Sequence, residues 1–160
     1  MDGQAEVGWR IVKAAYAERA FDGEGARLYG GRWNAAGTPL VYLAESRSLA
    51  LLEVLVHLHQ ASMLASYVRF RVEIPAASCT ALEPARLPAH WRDSPAPPEL
   101  QELGEEWVAG RRSVALAVPS AIVPEERLFL LNPVHPDFAR VRIGAPEPIR
   151  LDPRLEGAGG

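Results

Sequence analysis

Residues 30–59, GGRWNAAGTPLVYLAESRSLALLEVLVHLH, divide into three pieces. Gly30–Asn34 reads as a Gly-Gly-Arg-Trp-Asn turn, and Pro39–Ala44 as a short apolar strand. A helix opens near Ser46, which is placed to N-cap it, with Leu49, Leu52 and Val56 at helical spacing behind. Apolar residues lie almost all round this helix, so burial on most faces is expected. One narrow polar stripe remains, made of Ser46, Glu53, His57 and Gln60. Glu53 is therefore expected to face a cleft, where a carboxylate either pairs with a cation or meets a ligand. Arg32 and Tyr42 lie just upstream, on the turn and the strand. A cation, an aromatic platform and a carboxylate thus fall within one strand–helix unit. Two readings stand side by side: Arg32 and Glu53 pair at the solvated edge of the helix, or they flank a ligand.

Working outward, 160 residues suit a single domain with a real core. Residues 1–155 are assigned to it and residues 156–160 to a flexible tail. Lys and Arg number 17 against 20 Asp and Glu, a net charge of -3 with no basic tract. Non-specific nucleic-acid binding needs clustered cations, so this balance argues against it. Cys79 is the one cysteine, which excludes an internal disulfide and a thiolate zinc site. The N-terminus carries no signal pattern, and no apolar run approaches the ~18 residues of a membrane span. A cytoplasmic protein is expected.

Gly8–Lys13 alternates as a first strand, with Trp9, Ile11 and Lys13 on one face and Arg10 and Val12 on the other. Ala14–Ala20 is a short helix or turn, and Phe21–Gly31 a glycine-rich loop. It contains neither a GxGxxG nor a Walker A sequence. Ser66–Ile74 is the clearest strand: Val68, Phe70, Val72 and Ile74 face the core, and Tyr67, Arg69, Arg71 and Glu73 face water. Proline-rich residues 75–98 read as a long surface excursion. Pro98 opens a helix that ends at Gly110. Ser113–Val118 and Arg127–Leu131 are buried strands, with edge strands at Phe138–Ile143 and Ile149–Leu151. Strands outnumber helices without regular βαβ alternation, so the class is α+β with a mainly antiparallel, split or strongly bent sheet and flanking helices.

These residues resemble the RES domain family, the toxin components of Xre–RES toxin–antitoxin pairs. The resemblance runs through Trp9-Arg10, Gly31-Arg32-Trp33-Asn34, Val41-Tyr42, the Leu49-Ala50-x-x-Glu53 helix, Pro119-Ser120, Asn132-Pro133 and His135-Pro136. It implies a fold similar to ADP-ribosyltransferase toxins and NAD as the substrate, with no metal. Members release nicotinamide by hydrolysis or phosphorolysis, or transfer ADP-ribose to a protein. The family is named for an Arg, a Glu and a Ser, which map to Arg32, Glu53 and Ser120; Ser113, nearby on the same strand, is the other choice for the serine. The resemblance also implies an Xre-type antitoxin partner that supplies the DNA contacts, and allows a protein target and a homodimer within the complex.

Expelling nicotinamide from NAD passes through an oxocarbenium-like ribose. The nicotinamide ring already carries positive charge, so one carboxylate suffices, and Glu53 would stabilise the sugar cation. Arg32 presents a planar fork for phosphate or ribose. Tyr42 would stack on nicotinamide or use its hydroxyl. Ser120 would contact ribose or the nicotinamide amide, or only cap a turn. Asn132 would ligate the substrate or fix the turn before Pro133. Arg10 would meet phosphate or a ribose, or form a structural pair.

Other chemistries find less support. His57 and His59 are two apart on the helix and cannot form a metal pair. His90 and His135 stand alone in loops, no G-x-S-x-G elbow is present, and Cys79 has no adjacent histidine. A non-catalytic partner-binding module and a ribonuclease toxin are the competing readings. Arg32, Tyr42 and Glu53 together weigh against the first, and the acidic total against the second.

Overall fold

A computed structural model describes residues 3–57 and 66–155. Eight strands form one curled sheet in the order β4-β5-β6-β2-β1-β3-β7, with β8 also on β3. β1 (Ala5–Lys13) pairs antiparallel with β3 (Tyr67–Pro75) along its whole length. It meets β2 (Val41–Ala44) only at Trp9↔Ala44. No further ladder pair joins the two strands, which leaves a seam between them. Beside it stands Gly8, where nothing larger fits: a Cβ there would lie 2.8 Å from Leu43 Cδ1 and 3.3 Å from Phe129.

β6 (Arg127–Leu131) continues from β2, β5 (Ala115–Pro119) lies on β6, and β4 (Cys79–Ala81) runs parallel to β5. β7 (Arg142–Ile143) and β8 (Glu147–Ile149) pair antiparallel with β3. The period-2 pattern divides the apolar residues between two cores, one on each face. Val41, Leu43, Ala115, Ala117, Phe129 and Leu131 meet Phe70, Val72 and Ile74 inside the curl. Trp9, Ala44, Leu116, Val118, Leu128 and Leu130 face outward, beneath Trp33, Leu49, Ala50 and Leu100.

Ser46 caps α2 (Arg47–Leu55) as expected, its Oγ accepting from the Leu49 N–H at 3.0 Å. The expected burial of α2 on most faces is not found. Leu49 and Ala50 are buried, whereas Leu52 and Val56 are 39% and 58% exposed. The helix packs on β1 and β2 from one side, and among the described residues Leu52 and Val56 are left uncovered. Gln60 and His59, assigned to this helix from sequence, lie outside the described residues, as does the tail from residue 156.

Two expected loops contain elements. Glu24–Tyr29 is a helix, α1, bracketed by Gly23 (φ 74°) and Gly30 (φ 72°). Asp22 Oδ1 accepts from the Glu24 N–H at 2.9 Å and starts it. Within residues 75–98, β4 pairs with β5, and Thr80 and Ser113 share a hydroxyl–hydroxyl bond of 2.8 Å. Tyr67, expected on the wet face, is buried where β8 pairs beside it at Ile149. Phe138 belongs to a 3-10 turn, Pro136–Arg140, instead of an edge strand.

α3 (Pro98–Gly110) fixes the Gly30–Thr38 segment over the outer core. Gln101 Nε2 donates to the carbonyls of Gly31 (2.9 Å) and Asn34 (3.0 Å), and Glu105 accepts from Thr38 Oγ1 (2.5 Å). Gly104 lets the two backbones touch, since a Cβ there would stand 1.8 Å from the Trp33 carbonyl oxygen.

Candidate active site

Glu53 projects from α2 toward the end of β5. Ser120 follows β5 directly, and its hydroxyl donates to Glu53 Oε1 at 2.9 Å. The same Oγ accepts from the N–H groups of Ile122 and Val123, both at 3.1 Å. One donor and two acceptor positions exhaust a serine hydroxyl, so Ser120 is committed to the protein and aims Glu53. Ser113 lies at the other end of β5, bonded to Trp107 Nε1, Thr80 and the Ala115 carbonyl. It is thus Ser120, of the two serines, that the geometry joins to Glu53. Burial holds the Glu53 carboxyl above its ordinary range, opposed by the Ser120 hydrogen bond and by the nearby charges of His57 and Arg32.

Arg32 and Glu53 do not form an ion pair among the described residues. Arg32 Nη1 instead donates to the carbonyls of Trp91 (3.0 Å) and Asp93 (2.9 Å). Arg92 Nε in turn reaches the Ala121 carbonyl at 2.9 Å. Residues 91–93 therefore strap the Arg32 turn to the Ser120 turn, a connection that sequence reasoning missed. Its signal was slight: an arginine and carbonyl groups inside a proline-rich run. Among the described residues, Arg32 Nε and its second terminal nitrogen have no acceptor, which leaves one edge of the fork open.

Tyr42 is held differently. Its hydroxyl donates to Asn34 Oδ1 at 2.6 Å and accepts from the Trp33 N–H at 3.2 Å. Burial raises its pKa above the ordinary phenol value. The Asn34 amide nitrogen donates to the carbonyls of Ala26, Ala35 and Thr38. Asn34 and Trp33 are both fully buried, so within the Gly-Gly-Arg-Trp-Asn motif they are scaffold. Asn34, quoted in the motif but given no task from sequence, is the hub that joins α1, the turn and β2.

Arg10 fills the seam. Its Nε donates to the Ala20 carbonyl (2.7 Å) and its Nη1 to the Tyr42 carbonyl (3.0 Å), where a regular ladder would have continued. Burial lowers its pKa to about 10 despite the opposing charge of Asp22. Arg10 and Tyr42 line a cavity of about 410 Å³, together with Glu24, Ala26 and Tyr29 of α1. Asn132 makes no side-chain hydrogen bond to these groups among the described residues. Its Oδ1 accepts from the Val134 N–H at 3.1 Å, and its backbone N–H donates to Val114, which fixes the turn at Pro133.

The fold and site define a class: an α+β domain with a curled, mainly antiparallel sheet, in which Ser120 orients one carboxylate, Glu53, and the guanidiniums of Arg10 and Arg32 are, among the described residues, bonded only to carbonyls. Residues 7–152 match the RES domain, and the chain belongs to the RES domain family. It is 41% identical over 150 residues to the "Toxin Res" of Yersinia enterocolitica, covering 92% of this chain and 98% of that one. It is 38% identical over 152 residues to the "Prs ADP-ribosylating toxin" of a Sphingobium species, covering 92% and 94%. The fold is similar to that in the crystal structure of the MbcT–MbcA toxin–antitoxin complex of M. tuberculosis. That likeness has a TM-score of 0.75 at 21% identity and covers 97% of this chain and 88% of the other.

Proposed function

We propose that this protein is the toxin of a toxin–antitoxin pair and an enzyme that uses NAD, breaking the bond between nicotinamide and ribose. The observation that carries the reading is Glu53, oriented by Ser120 and held near Arg32, in a chain whose Sphingobium relative is an ADP-ribosylating toxin. As the glycosidic bond breaks, its electron pair leaves with nicotinamide, which becomes neutral, and the positive charge moves to the ribose. The Glu53 carboxylate stabilises that charge through space and accepts a ribose hydroxyl on the oxygen that Ser120 does not use. The acceptor, a protein side chain, water or phosphate, then bonds to the anomeric carbon and passes its proton to solvent.

Arg32 offers its open edge to phosphate oxygens. Arg10 supplies a second cation at the seam, and the Tyr42 ring a flat wall. Ser120 acts through Glu53, and Asn132 through the turn it fixes. The partner is an antitoxin of the Xre type, which supplies the DNA contacts that this mildly acidic chain is poorly suited to make. The expected cytoplasmic setting suits an NAD-using toxin; among the described residues, no helix is long and apolar enough to cross a membrane.

The test is direct. Purified protein incubated with NAD should release free nicotinamide, and adding the purified antitoxin should raise the apparent KM for NAD or stop release. Failure of the free protein to release nicotinamide would favour the partner-binding reading over the enzyme.

A further inference from the structure

Two irregular segments hold the groups on which the proposed reaction depends. Residues 91–93 receive Arg32, whose Nη1 donates to the carbonyls of Trp91 (3.0 Å) and Asp93 (2.9 Å). Residues 120–123 hold Glu53: Ser120 donates to its carboxylate, and the Ile122 and Val123 N–H groups donate to the Ser120 hydroxyl. Neither segment lies in a helix or a strand, so no ladder fixes one against the other. Among the described residues, one hydrogen bond joins them, from Arg92 Nε to the Ala121 carbonyl at 2.9 Å.

Local structure prepares each segment for this link. The Trp91 and Asp93 N–H groups close turns on the Pro88 and His90 carbonyls, at 3.1 and 3.0 Å. The carbonyls of residues 91 and 93 are then taken by Arg32, and the side chain between them crosses to Ala121. On the far side, the Ser120 N–H donates to the Glu126 carbonyl and the Glu126 N–H to the Val123 carbonyl, both at 2.9 Å, which closes the turn that contains Ala121. Trp91 and Val123 each pack against the outer core, so both segments are anchored from below. Arg92 itself is exposed and forms no ion pair among the described residues. A single surface hydrogen bond adds little to global stability. Its place between Arg32 and Ser120 gives it another use.

We propose that Arg92 is a positioning residue for nicotinamide cleavage: it sets the separation of Arg32, on one segment, from Ser120 and the Glu53 it aims, on the other. Arg92 touches no reacting atom. This rests on the proposed use of NAD, in which Arg32 and Glu53 grip different parts of one substrate. A displacement of about 1 Å between two such groups costs far more in rate than the bond contributes to folding.

Arg92→Met keeps the length of the stem and removes the donor, whereas Arg92→Lys keeps a donor. The first readout needs no turnover: amide hydrogen exchange of the free protein, followed by NMR. Ile122 and Val123 should exchange about tenfold faster in Arg92→Met, the scale of one lost hydrogen bond, while the amides of β6 keep wild-type rates. The second readout is nicotinamide release. In Arg92→Met, kcat/KM should fall about tenfold with Tm little changed, and its acid limb should move to higher pH. The sign follows because a looser Ser120 hydrogen bond lets burial raise the Glu53 carboxyl further against the remaining charges of His57 and Arg32. Arg92→Lys should restore both readouts. Wild-type exchange at Ile122 and Val123 in Arg92→Met, or exchange that quickens equally throughout β6, would overturn the assignment. So would a wild-type kcat/KM and pH profile in that variant. Absence of nicotinamide release by wild type counts against the use of NAD, and the exchange comparison then decides the link by itself.

Discussion

The two ends of the site use hydroxyl groups in the same way to different effect. At one end, the Tyr42 hydroxyl gives its proton to Asn34 and accepts from Trp33; Asn34 is itself committed to three carbonyls. At the other, the Ser120 hydroxyl is equally full, but its proton goes to Glu53, a carboxylate with an oxygen to spare. The first network ends in the scaffold and the second ends in a group that can act on a ligand. A polar residue in a motif is thus assigned by where its last hydrogen bond goes, because a saturated donor can orient a neighbour but cannot also serve a substrate.

Substitutions at the two ends should separate stability from chemistry. The largest stability effect is expected at Gly104. A methyl group there meets the Trp33 carbonyl at 1.8 Å, backbone against backbone, so α3 must move off the turn. Gly104→Ala should cost about 3 kcal/mol or more, measured as a lowered midpoint of chemical denaturation.

Tyr42→Phe comes next. It leaves Asn34 Oδ1 and the Trp33 N–H without their partner, at a cost of about 1–3 kcal/mol. Its kcat for nicotinamide release should stay near wild type, because the ring remains. A large fall in kcat with unchanged stability would move Tyr42 to the chemical end.

Ser120→Ala should show the opposite balance. Loss of the aiming hydrogen bond should lower kcat by about tenfold, or ~1.4 kcal/mol in the barrier. It should also move the acid limb of kcat/KM to higher pH. The sign follows from the hydrogen bond, which favours the ionised carboxylate and so holds the Glu53 pKa down. Removing it lets burial raise that pKa further. A pH profile that does not move would contradict the role given to Ser120.

Much of this fold was legible because its elements are long and periodic. β3 alternates in burial from Val68 to Pro75, Ser46 is a serine before an apolar run, and Pro98 and Gly110 bracket α3. α1 and β4 were not legible. Each is too short to show a period, and each is held by a distant partner, the Asn34 carboxamide and the Ser113 hydroxyl respectively. The exposure of Leu52 and Val56 was hidden for a related reason: an apolar residue declares that it can be buried, not that a layer exists to bury it. Glu53, Arg32 and Ser120 were found through motif resemblance. That Ser120 bonds Glu53 across 67 residues, and that residues 91–93 hold Arg32, are facts of tertiary structure with no local pattern.

The central claim is that Glu53 is kept for chemistry at the expense of comfort in the fold. Burial raises its pKa in the folded state, so the ionised side chain costs stability at pH values above that pKa. The cost disappears as pH falls through the folded value toward the ordinary carboxylate value of 4.5. The most direct measurement is nicotinamide release from NAD by Glu53→Gln, paired with thermal denaturation of the same protein across pH. Gln keeps an acceptor for Ser120 and removes the charge. Release should fall by about 10²–10³, while Tm near neutral pH equals or exceeds that of wild type, with the gap closing as the medium is acidified. Wild-type release from the folded variant, or a Tm well below wild type at neutral pH, would contradict the account.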